Sequence, residues 1–238
     1  MRNIFQLLTI VSILVLVSCK NNEEKPKLSY KIDKKVVKQK QDTAKIDVAG
    51  LPIQFETTNY LIYPIANINF NNNSSKSFEW KYEGNESFNV ANNMDNEITG
   101  FMQNLKFQKT DSDSLVSLTD KPILIHSVNF LSTIAQKSKQ QILVYLTEDT
   151  DTNKDQKLDN SDIKSLYLSD ISGKRFTKIS TDVQEVLDWK IIESKNRLYF
   201  RAIEDTNKNG MFDKNDKIHY NYVNLLEAKW KAIEFMEL

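Results

Sequence analysis

The sequence predicts a mostly β protein assembled from antiparallel β-meander units, on three observations. Short runs rich in aromatic and β-branched residues recur from Leu51 onward, each bounded by Asn, Asp, Ser, Lys or Gly. Helical periodicity is missing over any long window. A pattern of strand, acidic loop, strand, turn and strand occurs twice, over about 141–180 and 197–235.

In chain order the expected strands are NYLIYPIANI (59–68), SFEWKYE (77–83), NLKFQKT (104–110), ILIHSVNFL (123–131), QILVYLTE (141–148) and SLYLSD (165–170). RFTKIS (175–180), EVLDWKII (185–192), RLYFRAIE (197–204), KIHYNYV (217–223) and KWKAIEF (229–235) follow. In KIHYNYV, Ile218, Tyr220 and Tyr222 alternate with polar neighbours, as a half-buried strand requires. The one segment with a helical look is NNMDNEITGFMQNL (92–105). EVLDWKII supplies a leading strand to the second repeat and ILIHSVNFL to the first, giving four antiparallel strands per unit.

SLYLSDISGKRFTKIST and VLDWKIIESKNRLYF resemble the repeats of TolB-type and WD40-like β-propellers, in which a strand ending in Asp-x-x-Gly turns into the next. SDSLVSLTDKPILIH is a fainter version upstream. The resemblance implies propeller blades, about three of them. Closed propellers generally need four or more, so it implies an open or incomplete propeller, or an open meander or sandwich.

The amino-terminal residues carry an address. Arg2 precedes an apolar run, Ile4–Val17, that is too short for a finished membrane-spanning helix, so residues 1–18 read as a secretory signal. LVSC resembles the lipobox of bacterial lipoproteins, which implies cleavage before Cys19, a lipid on Cys19, and attachment to the membrane through it. The chain has 1 cysteine, so Cys19 has no intrachain partner for a disulfide. Lys20 stands where inner-membrane lipoproteins carry Asp, which implies the bacterial cell envelope at the outer membrane. Residues 19–50 are rich in Lys and Gln and poor in large apolar residues, the composition of a flexible basic tether. Residues 51–238 form the β-rich domain.

Within each repeat lies an acidic loop. Calcium takes roughly six to eight oxygen ligands, and the EF-hand loop supplies them from positions 1, 3, 5, 7, 9 and 12, with Gly at 6 for the turn. Counting from Asp205 places Asp205, Asn207, Asn209, Gly210, Met211, Asp213 and Asp216 at 1, 3, 5, 6, 7, 9 and 12. Counting from Asp151 places Asp151, Asn153, Asp155, Gln156, Lys157, Asp159 and Asp162 there. Lys157 and Met211 would offer only their main-chain carbonyls. Position 8 is apolar in both loops, Leu158 and Phe212. Gln156 replaces the expected Gly and must take a positive φ at modest cost. Both loops resemble the EF-hand and dockerin-type calcium loop, ending in Asp as dockerins do, and imply two Ca2+ sites. Strand-like flanks replace the family's helices, so the loops are expected in β-hairpins.

Other functions are less well supported. Lys+Arg 32 and Asp+Glu 32 cancel, which leaves no field for nucleic acid. No phosphate cradle and no His-Glu-x-x-His occurs, so the balance is against an enzyme. His126 and His219 sit in strand-like runs, and Trp80, Trp189 and Trp230 read as core residues that could alternatively stack on sugar. The expectation is a calcium-stabilised envelope lipoprotein with a binding or scaffolding role toward an unknown protein or glycan. The alternative is an envelope hydrolase of glycans or peptides.

Overall fold

The computed structural model describes residues 26–30, 45–69 and 90–236. The expected signal, Cys19 and the SFEWKYE run with Trp80 lie outside the described residues. Among those described, no helix is long and apolar enough to cross a membrane.

Three antiparallel sheets make up the body. The first joins β1 (Lys45–Ala49), β2 (Tyr60–Asn69), β5 (Asn104–Lys109) and β6 (Leu115–Ser117), in that order. The second contains β3 (Ala91–Met94), β4 (Glu97–Met102), β7 (Leu124–Phe130), β8 (Ile142–Glu148), β9 (Ser165–Asp170) and β10 (Thr177–Lys178). Its spatial order is β10-β9-β8-β7-β4-β3, a four-strand meander extended by a hairpin. The third is the plain meander β11 (Gln184–Ile192), β12 (Arg197–Glu204), β13 (Lys217–Asn224) and β14 (Ile233–Met236). The expected mostly β, antiparallel architecture is therefore present, and both acidic loops lie in hairpins, between β8 and β9 and between β12 and β13.

Two hydrophobic cores hold the sheets together, and the second sheet contributes to both. Ile62, Leu105 and Phe107 of the first sheet meet Ile98, Ile125, Leu143 and Tyr145 of the second. On its other face Ile142, Val144, Leu166 and Leu168 meet Val186, Leu198, Phe200 and Val223 of the third. Successive side chains of β8 thus enter different cores, which explains why ILVYL is apolar throughout instead of alternating. Burial of each such side chain contributes about 1.5–3 kcal/mol. Trp230 closes the second core, its indole N–H donating to the Leu225 carbonyl at 3.0 Å and its ring covered by Arg175 at 3.9 Å. Trp189 packs half-buried against the same core.

Two expectations require correction. The segment 92–105 is not helical: β3 and β4 pair through Met94↔Glu97 around a two-residue turn, Asp95 and Asn96, and Leu105 begins the buried side of β5. Asp-Asn at a tight turn and β-branched Ile98 and Thr99 after it outweigh any helical spacing. The helix is instead α1 (Ser132–Ser138), a short connector. It buries Ile134 and Ala135 and stops at Lys139, whose left-handed backbone (φ 62°) turns its N–H onto the Ala135 carbonyl. Finally, parts of the expected tether are built into the domain. Lys45–Ala49 forms β1 against β2, and Pro26–Tyr30 packs against the acidic loops, with Leu28 buried. Composition averages over a stretch, whereas edge pairing draws on backbone groups that every residue carries.

Candidate functional site: the paired acidic loops

The two loops fold alike, atom for atom at most positions, with 54 residues separating Asp151 from its equivalent Asp205. Position 1 anchors each turn. Asp151 accepts the N–H groups of Asp155 (3.2 Å) and Gln156 (2.9 Å), and Asp205 those of Asn209 (3.1 Å) and Gly210 (2.7 Å). Next comes a ladder in which a side-chain oxygen accepts the N–H two residues on. Asn153 holds Asp155 and Asp155 holds Lys157, both at 2.9 Å. Asn207 holds Asn209 at 2.9 Å and Asn209 holds Met211 at 2.8 Å. Asp159 and Asp213 repeat the bond to Ser161 and Asn215, both at 2.8 Å.

Position 12 closes each loop. Asp162 accepts from Thr152 at 2.6 Å with one oxygen and from Asp159 at 3.1 Å with the other; Asp216 accepts from Thr206 at 3.0 Å and Asp213 at 2.8 Å. The Thr at position 2 completes the base, its hydroxyl accepting the N–H of Ile163 or of Lys217, both at 3.1 Å. Positions 4 and 6 take positive φ in both copies: 62° and 72° at Lys154 and Gln156, 58° and 87° at Lys208 and Gly210. The expected strain at Gln156 is present, and the bonds from Asp151 offset it. Leu158 and Phe212 are half-buried.

Burial separates the ligand candidates. Asp162 and Asp205 are buried, whereas Asp155, Asn207, Asn209 and Asp213 are exposed, as are Lys157 and Met211 at position 7. Burial pushes the Asp162 carboxyl up, by more than the donors from Asp159, Thr152 and Asn153 pull it down. Among the described residues no group of three or more His, Cys, Asp or Glu is placed to hold a metal ion. The donor set nevertheless suits a hard cation by type, since each loop lines up carboxylates, carboxamides and a carbonyl. Most of those oxygens keep a lone pair beyond the one their backbone donor occupies, whereas one oxygen of Asp162 already accepts from the Thr152 N–H and hydroxyl and the Asn153 N–H.

A third segment touches both loops. The N–H groups of Lys27 and Leu28 donate to the Gly210 carbonyl at 2.8 and 3.1 Å, and that of Ser29 to the Thr152 carbonyl at 2.8 Å. The Thr152 hydroxyl returns a bond to the Lys27 carbonyl at 2.8 Å. Lys27 pairs with the buried Glu185 of β11 at 2.6 Å. Tyr30 donates to the Asp205 carbonyl at 3.5 Å, and burial together with Asp205 pushes its phenol up to about 12.

Sequence reasoning missed this segment and three carboxylate clusters. Asp149, just before the first loop, accepts from Ser165 (3.1 Å), Tyr167 (2.6 Å) and Lys178 (2.8 Å), so one side chain ties β8, β9 and β10 together. Burial raises its carboxyl, but these donors win and hold it below the ordinary carboxylate range. Glu148 is fully buried on His126, its second oxygen lacking a partner among the described residues; burial pushes its carboxyl up despite the imidazole. His219 lies between Glu204 at 2.8 Å and Glu234 at 2.9 Å. The repeated Asp-Thr-Asn at 151–153 and 205–207 was the available signal for the position-2 threonines.

Fold and site together define an antiparallel β protein bearing two equivalent acidic hairpin loops. Comparison with known proteins finds no matching family model, no matching characterised protein and no matching solved structure.

Proposed function

We propose that the protein is a calcium-binding, lipid-anchored envelope lipoprotein whose two hairpin loops are stabilised by Ca2+. The observation that carries the reading is the bond-by-bond equivalence of the loops, including the positive φ at positions 4 and 6 in each. A polar turn needs only one or two such bonds. The ligand sets are Asp151, Asn153, Asp155, Lys157, Asp159 and Asp162, and Asp205, Asn207, Asn209, Met211, Asp213 and Asp216. Lys157 and Met211 act through their carbonyls. A divalent ion would relieve mutual repulsion among the carboxylates and link its own binding to loop order.

The three antiparallel units read as blades of an incomplete propeller, since β7–β10 and β11–β14 both run as simple meanders. Lipid on Cys19 attaches the domain to the outer membrane, and the sheets serve as a scaffold or binding body for a protein or glycan. The test is calorimetric titration of the full chain with calcium. Two sites are expected, with one lost in Asp151→Ala and the other in Asp205→Ala. Unchanged titrations in both variants would remove the ligand assignment.

A further inference from the structure

We propose that Pro26–Tyr30 is a built-in strap that fastens the two acidic loops to one another, so that they order and loosen together. The loops belong to different sheets, and the strap bonds to the backbone of each. It does so at peptides that the loops' own side chains already orient. The Gly210 carbonyl accepts from Lys27 and Leu28, and the Met211 N–H of the same peptide is held by Asn209 at 2.8 Å. The Thr152 carbonyl accepts from Ser29, and the Asn153 N–H of the same peptide is held by Asp162 at 3.3 Å. These strap bonds therefore depend on a side-chain oxygen at position 5 or 12 keeping the acceptor peptide in place, and bonds in such chains polarise and strengthen one another.

Two further contacts fix the strap. Leu28 is 4 % exposed, and Lys27 pairs with Glu185. Gly210 admits the strap because it has no Cβ: one built there would lie 2.5 Å from the Leu28 carbonyl oxygen. Anything that orders one loop holds the strap, and the held strap favours the other loop, a coupling that is reciprocal by linkage. Cooperative cation binding is the consequence if the loops take calcium, and that consequence alone rests on the function proposed above.

Hydrogen exchange read by mass spectrometry on the full chain tests the strap, once with chelator and once with calcium at about 1 mM. Ser29→Pro deletes the donor to Thr152 and stiffens the strap's backbone. It is expected to accelerate exchange roughly fivefold to tenfold in 205–216 as well as in 149–164, in both conditions. Ser29→Ala keeps the donor and should leave both loops unchanged. Leu28→Ser, which removes the buried anchor, should reproduce the proline pattern, with slow exchange in β7 and β8 marking an intact fold. Acceleration confined to 149–164, or none in either loop, overturns the strap. Calcium protection of the wild-type loops is a separate readout: its absence, with both loops still loosened by Ser29→Pro, would leave the strap standing and end the calcium reading.

Discussion

Gly210 and Gln156 occupy equivalent left-handed positions, yet their surroundings differ. Gln156 is exposed at φ 72°, and its side chain has room. Gly210 is buried at φ 87° beneath the Leu28 carbonyl. Gly210→Ala should therefore cost about 1–3 kcal/mol in urea unfolding, while Gln156→Gly should be neutral or stabilising by up to about 1 kcal/mol. Equal effects at the two sites would contradict the close approach. Glu148 is the other residue with a clear signature. Because burial raises its folded pKa, its contribution is fully present below the ordinary carboxylate value and is lost as pH rises through the raised one. The wild type should thus lose stability over that rise and Glu148→Gln should not. Parallel unfolding profiles for the two proteins would reject the assignment.

Elements were legible to the extent that side chains wrote them. The apolar runs located β7, β8, β12 and β13, because burial on one or both faces leaves a direct trace in composition. The Asp/Asn spacing located both loops because the oxygens that could hold a cation are the same ones that bend the backbone. What stayed hidden was held by main-chain atoms. Pro26–Tyr30 binds through four backbone donors and acceptors, one apolar anchor and the side chains of Lys27 and Tyr30, a combination that KPKLSY does not advertise. The short α1 is set by the gap it spans between β7 and β8, not by any amphipathic period. Asp149 went unread as a tie for a related reason. Its three partners come from β9 and β10, and only pairing brings them near.

At the scale of the molecule, cation removal is the informative perturbation. If both loops bind calcium, holding the ion at about a hundred times its dissociation constant should stabilise the fold by about 2.7 kcal/mol per site, and chelation should remove that increment as a fall in melting temperature. A melting curve indifferent to chelator would reduce the loops to polar turns. The arrangement of sheets carries a further consequence for biogenesis. Strand β8 of the middle sheet is covered on both faces, and the cover of one of them, β11–β14, follows it in the chain. A polypeptide that ends early would bare Ile142, Val144, Leu166 and Leu168 as a sticky flat surface, the kind that self-associates or draws proteolysis. Until β11–β14 docks, that surface stays open to wrong partners.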